Sequence, residues 1–297
     1  MYFCNFFLKI NMKIKLIILF FLGGVYCQAQ SVGVRAGLNF SKFQGPLEAA
    51  EQFNISNGFH FGINYGYKFT NKFMVRAEIQ YSQNGTKYEY DGPGHYLIFK
   101  ENGTEVLEKG TNTTILDIST GYINLPVVAA YQLLPKIEIF GGLNLNILIN
   151  PIGRGNLRFE SATRPNQIVF RQTLDYRYYQ NEARGVPQSF GFGFQRPIGI
   201  IVDDERVSLP KSVGAYYQYS GKEESFIRPF DVQLSAGMNY FINRGFFIGG
   251  KINYGLLDVT SDKMDRSVSM LNPDNSFVLK KDYDRNLVLE VSVGFRF

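Results

Sequence analysis

The chain has 297 residues, 45% hydrophobic and 19% charged, with 30 glycines, 19 tyrosines, 27 phenylalanines and no tryptophan. Its formal charge of +5 falls to +2 once Lys9, Lys13 and Lys15 are set aside with the leader read below, so charge gives no argument for nucleic-acid binding. Both cysteines, Cys4 and Cys27, lie in or before that leader, which leaves the remainder neither a disulfide framework nor a thiolate metal site.

Residues 1–30 read as a signal peptide with its start at Met12. Met12 to Lys15 form the basic opening, Leu16 to Val25 the apolar core, and removal is expected after about Ala29 or Gln30. Acylation of Cys27 is the competing reading, and the bulky Tyr26 before it argues against that. Beyond the leader no apolar run reaches the roughly 18–20 residues of a membrane helix. Residues 31–297 are expected to form one barrel domain, with a long extracellular loop or extension at 150–228.

Period two dominates that domain. In chain order, apolar residues alternate with small or polar ones along 32–40, 59–69, 73–82, 137–147, 230–240, 246–256 and 287–297. Successive strand residues face opposite sides, so each segment has one apolar and one polar face. A further strand, around 116–134, carries Leu116 and Ile118 on one parity and Ile123, Leu125 and Val127 on the other. A bulge near Gly121 is expected to reconcile them.

Connections sort by length. Short turns at 70–72, 134–136 and 243–245 alternate with long links at 42–56, 89–114, 150–228 and 259–285. Short periplasmic turns opposite long outer loops are the habit of outer-membrane barrels. Aromatic residues on the apolar parity form two sets. Phe69, Phe73, Tyr131, Tyr240, Phe246 and Phe297 stand beside the short turns, and Phe40, Phe59, Tyr81, Phe230 and Tyr254 toward the long links. Within a strand the sets lie about 8–10 residues apart, or roughly 20–25 Å of height at a tilt near 40°. The expected fold is therefore all-β, an antiparallel up-and-down transmembrane barrel of about eight strands, with long extracellular loops and a periplasmic N-terminus.

Eight strands leave a lumen that side chains fill. The inward parity carries Arg35, Lys68, Arg76, Lys251 and Arg296 against Glu78, Glu138, Asp231 and Glu290, which reads as an interior ion-pair lattice. A charge-selective narrow pore is the alternative. Of the two histidines, His60 and His95, the first faces inward near the outer rim and is the one candidate general base for an outer-membrane enzyme. The competing reading is a hydrogen-bonded lumen residue. Asp203-Asp204-Glu205 reads as a solvated loop tip rather than a cation site. No phosphate loop, His-x-x-x-His pair or Gly-x-Ser-x-Gly elbow is present, so no catalytic or metal residue and no cofactor is assigned.

Residues 150–228 make an unusually long link, rich in Arg, Tyr and Phe over 171–179 and 189–196. Disordered segments are poor in aromatics, so a folded extension or hairpins are expected there. Tyr and Arg are also enriched at protein interfaces, which suits a protein or glycan partner as well as a self-capping loop.

The motifs resemble the PorT-like outer-membrane β-barrel proteins of Bacteroidetes. Val32 to Asn39 is similar to that family's first strand, Glu78 to Gly85 to its glutamate–tyrosine–glycine strand, and Tyr122 to Pro126 to its leucine–proline strand. Phe297 resembles the terminal aromatic of the barrel-assembly signal. The resemblance spans the mature chain except about 150–228. It implies the barrel fold, an outer-membrane address, lipid and the barrel-assembly machinery as partners, and a link to type IX secretion. The function expected is non-enzymatic: binding, scaffolding or a secretion or surface assembly, acting through the outer loops.

Overall fold

The computed structural model describes residues 30–180, 182–186, 196–219, 221, 223–280 and 282–297. The leader read over 1–30, except Gln30, and most of the aromatic run 189–196 lie outside the described residues. Eight long strands form a closed ring: β1 (Gln30–Gln44), β2 (Glu51–Lys68), β3 (Phe73–Phe99), β4 (Glu105–Leu134), β5 (Ile137–Ser161), β10 (Phe230–Phe241), β11 (Phe246–Gly255) and β14 (Arg285–Arg296). Each pairs antiparallel with its sequence neighbour in the ring. Closure comes from β1 with β14, where Gly33 faces Arg296, and the long link is bridged by β5 with β10, where Phe230 faces Ile147. Such closure leaves no unpaired edge in the ring, which is the condition for a sheet to stand in hydrocarbon.

The ring's outer face is apolar. Leu38, Ile63, Ile79 and Leu234 are 59%, 63%, 66% and 54% exposed. A continuous belt of this kind is untenable in water, and each such side chain gains about 1.5–3 kcal/mol on leaving it. The aromatics of both expected sets lie on this outward parity, exposed or half-exposed. Neighbours among them touch: Phe69 and Phe73 have ring centroids 5.8 Å apart, and Phe59 and Tyr81 5.7 Å.

Three strands run far past the belt. β3, β4 and β5 have 27, 30 and 25 residues, where a tilted membrane strand needs about 9–11. The link expected at 89–114 is instead a continuation of the β3–β4 ladder, paired from Phe99 opposite Glu105 downward. On the upper part of β5 lies β6 (Val169–Arg177), which pairs in parallel with the short β9 (Ser212–Val213). A hairpin of β7 (Ile198–Val202) and β8 (Glu205–Leu209) covers its end. The link at 259–285 contains a second small hairpin, β12 (Arg266–Leu271) with β13 (Phe277–Leu279).

This extension has its own core, built from Tyr96, Ile98, Leu116, Ile118, Phe159, Phe170, Leu174, Val202 and Leu209, all 6% exposed or less. Its outer surface is polar, with Lys87, Glu89, Asp91, Arg154 and Arg158 exposed. Leu116 and Ile118 therefore point inward into this core, on the same parity as Thr120, Tyr122 and Asn124 below them. The bulge expected near Gly121 is not in β4. It lies across the ladder in β5, where Tyr122 faces Leu148 but Gly121 faces Asn150, so Ile149 is the extra residue. After it the inward side of β5 changes from Asn144 and Asn146 to Leu157 and Phe159. Close approach at the same level requires Gly85, whose φ is +155° and whose added Cβ would stand 1.9 Å from the Ile118 carbonyl oxygen.

Candidate functional site

Charges in the lumen gather on two carboxylates. Glu138 accepts from Arg76 at 2.8 Å, from Arg296 at 2.6 Å and from Asn239 at 2.9 Å. Arg35 stands 3.6 Å from Glu78 and lies over Phe140 and Phe247. Glu290 accepts from Lys251 at 3.0 Å, Asn253 at 2.7 Å and Gln80 at 3.2 Å. These side chains are nearly all under a tenth exposed, and the several bonds to Glu138 and Glu290 offset much of the desolvation cost there. Among the described residues Glu78 Oε1, Arg35 Nε and Arg76 Nη2 have no hydrogen-bond partner.

Two expected members depart from the lattice. Lys68 is exposed at the short-turn mouth, where it lines a recess of about 220 Å³ with Lys72, Arg244 and Arg296. The strand ends there, so the inward parity no longer faces protein. Asp231 is buried but bound by amides, Asn286 at 2.9 Å and Gln233 at 2.7 Å, rather than by a cation. Four cations thus stand against four acids inside. Sequence reading missed the amides that join the groups, because an isolated Asn or Gln on a strand carries no sign of its partner.

His60 sits within this plug. Its Nδ1 donates to Asn39 Oδ1 at 2.6 Å, and its Nε2 accepts from Ser292 Oγ at 2.9 Å. The order Asn–His–Ser is that of a nucleophilic triad, but Asn39, His60 and Ser292 are each 1% exposed or less. Substrate has no route to the serine. Asp203 and Asp204, both at positive φ, form the two-residue turn of the β7–β8 hairpin. Asp203 there meets Lys100 at 3.0 Å and Arg164 at 2.9 Å, and these partners hold its carboxyl below the usual range.

Space for a second molecule lies higher, in the extension. A cavity of about 170 Å³ is walled by Tyr88, Tyr96, Tyr176, Tyr178 and Tyr219, with Asp265, Asp282 and Asp284 among its polar lining. Asp258, Asp265 and Asp284 converge on the Thr260 hydroxyl, at 3.1, 3.0 and 3.4 Å. Burial, reinforced by mutual repulsion, pushes Asp265 up to about 8 and Asp284 up to about 7. His95, stacked on Phe277 at 5.2 Å, is held near 4 by burial and by Arg266. It therefore stays uncharged at neutral pH. Sequence reading marks Tyr176 and Tyr178 only as part of the aromatic run 171–179, and none of the acids. The alternation Asp282-Tyr283-Asp284 was the available sign of those, since residues two apart on an extended chain share a side.

Comparison with known proteins agrees with the architecture. Residues 28–261 match the family described as outer membrane protein beta-barrel domain, and the chain belongs to that family. It is an outer-membrane β-barrel protein of the Gram-negative type. Among solved structures it is similar to Ail, the attachment invasion locus protein of Yersinia pestis, at 11% identity over 91% of this chain and 100% of that one, TM-score 0.35. It is similar also to Neisserial surface protein A, at 11% identity over 90% and 97%, TM-score 0.36. The outer membrane protease OmpT from Escherichia coli is similar at 8% identity over 92% and 98%, TM-score 0.33. No curated protein matches the sequence.

Proposed function

We propose that this protein is a non-enzymatic surface binding protein, in which the barrel is a plugged anchor and the extension, on the cell's outer face, engages a ligand or partner. The observation that carries the reading is the division of free space. The lumen is filled by ion-paired and amide-linked side chains, whereas the extension holds a tyrosine-walled cavity of about 170 Å³. Burial of the Ser292–His60 pair supports a structural role for the histidine, and the filled lumen argues against conduction. The resemblance to PorT-like barrels supports a place in a Bacteroidetes secretion or surface assembly, with the exposed Phe297 as the end read by the barrel-assembly machinery.

Orientation is tested with single cysteines, because the residues after Cys27 contain none. Thr111→Cys is expected to react with an impermeant maleimide on intact cells, and Asn71→Cys only after permeabilisation. The reverse pattern overturns the reading. Pull-down of the full chain from detergent-solubilised envelopes is expected to recover a partner, and His60→Ala to leave that recovery unchanged.

A further inference from the structure

The cavity's charge is unbalanced. Glu51 has Lys280 at 3.0 Å, and Asp258 has Arg228 at 3.1 Å. Among the described residues neither Asp265 nor Asp284 has a cation within 4 Å, although they are 7% and 4% exposed. Lys280, already paired with Glu51, is also drawn to Asp282 at 3.8 Å. Arg266 lines the cavity too, but lies over Tyr219 and Phe277 and is bonded to Gln218 at 3.2 Å.

Hydrogen bonding is incomplete at the same place. Asp284 Oδ1, Asp282 Oδ1 and the Tyr178 hydroxyl are buried without a partner, and Tyr178 is 1% exposed. A buried polar group left without a partner is destabilising. Two of these three atoms, on Asp282 and Asp284, lie in the acid cluster itself, where among the described residues neither Asp265 nor Asp284 has a cation within 4 Å. They describe a site shaped for something that donates hydrogen bonds and carries positive charge.

Two kinds of cation could meet that description. A hard divalent ion takes about six to eight oxygens at 2.3–2.6 Å, and among the described residues no three acidic or histidine side chains are placed to ligate one. The rest of the wall is largely tyrosine ring and aliphatic carbon, with Arg266, Lys280, His95 and Gln218 also lining it. Ring faces attract organic cations, and ammonium groups donate without demanding a coordination shell. A cavity of about 150 Å³ accepts benzene, so 170 Å³ accommodates a body of that size.

We infer that the extension binds a small organic cation, an ammonium group on an apolar body of about benzyl size. The ammonium sits against Asp265 and Asp284, and the body lies among Tyr96, Tyr176 and Tyr219. Occupation replaces the missing counter-ion and returns the two carboxyls to their ionised form. This deepens the binding role proposed above and can fail separately from it.

The test is calorimetric titration of the full-length protein in detergent micelles, with tyrosine fluorescence as a second signal, since the chain has no tryptophan. Probes are phenethylammonium, neutral 2-phenylethanol, anionic phenylacetate and calcium chloride. Saturable binding of phenethylammonium is expected, at least tenfold tighter than 2-phenylethanol, with at least tenfold loss in Asp265→Asn/Asp284→Asn. Equal affinity for the neutral probe, preference for phenylacetate, binding of calcium alone, or no binding overturns the inference. Near-ultraviolet circular dichroism checks that the variant keeps its tyrosine packing. Should it fail to fold, the charged-against-neutral comparison on the native protein decides alone. Partner recovery from envelopes without phenethylammonium binding sinks this ligand class and leaves the surface-binding role standing.

Discussion

The barrel and its extension share strands but solve opposite problems. Along the ring the outward side of β3 shows Ile79 and Tyr81, and the inward side Glu78 and Gln80. A few residues on, the outward side shows Lys87, Glu89 and Asp91, and the inward side Tyr88, Tyr90 and Tyr96. The chain keeps its pleat while the solvent outside changes from lipid to water. Polar atoms are therefore costly outside the lower half and inside the upper one. What holds the lower half together is an ion-paired network, where removing one partner is worse than replacing all of them. What holds the upper half together is close-packed apolar volume.

That contrast can be broken most sharply at Glu138. Glu138→Leu strands Arg76 and Arg296, and a loss of about 3–5 kcal/mol is expected. Urea unfolding in lipid vesicles measures it, and an unchanged midpoint contradicts the lattice. Phe159→Ala is expected to remove about 3–5 kcal/mol from the extension, seen as faster proteolysis there while the membrane ring stays resistant. Ile79→Arg places a charge near mid-membrane on the lipid side, at a cost of about 2–4 kcal/mol. The equivalent outward change in the extension, Thr111→Arg, is expected within about 0.5 kcal/mol of neutral. Similar costs for the two arginines erase the distinction between halves.

A pH dependence confined to the extension sharpens the contrast further. Asp265 and Asp284 titrate near 8 and 7 in the fold, against a carboxylate value near 4 in an unfolded chain. Asp258, Asp282 and Glu51 oppose their ionisation, while Lys280 favours that of Asp284 and the Thr260 hydroxyl bonds to Asp265. The folded form holds protons that the unfolded chain has released. Their stabilisation is complete below about pH 4 and is lost as pH rises through 7 to 8. Slower proteolysis of the extension at pH 5.5 than at pH 8.5 is expected. Phenethylammonium is expected to narrow that gap by favouring the ionised carboxylates, and its affinity to rise over the same interval.

The barrel was legible because period two with a fixed sense is a strong signal, and the short turns marked one end. Lys87-Tyr88-Glu89-Tyr90-Asp91 alternates as cleanly as any membrane strand, but its sense is reversed. A search for apolar-out ribbons assigns it to a loop. The 150–228 link reads as aromatic and folded, but its first residues, 150–161, continue β5, and β6 to β9 follow; nothing local fixes a parallel β6–β9 pairing made by residues about 40 apart. Asp231 and Lys68 were grouped with the ion pairs on parity alone. Parity gives a residue's side and not its height, and height decides whether a cation or an amide is in reach. The cavity depends on contacts between β3, β6 and the 258–284 segment, so only the tyrosines of the 171–179 run stand out in sequence, and the two-apart aspartates offer the one further local sign.

The β3–β4 ladder passes from the hydrocarbon level into the extension without a register shift, and the β4–β5 ladder resumes directly after its one-residue bulge at Ile149. From Tyr81 to Tyr88 is only about 23 Å along the strand, and no joint lies between them on β3. Whatever the cavity holds is thereby carried at a set height and angle above the lipid. An event at the cavity has no swinging arm with which to report itself across the membrane. In the orientation proposed above, its consequences are confined to the outer surface, where another molecule must read them.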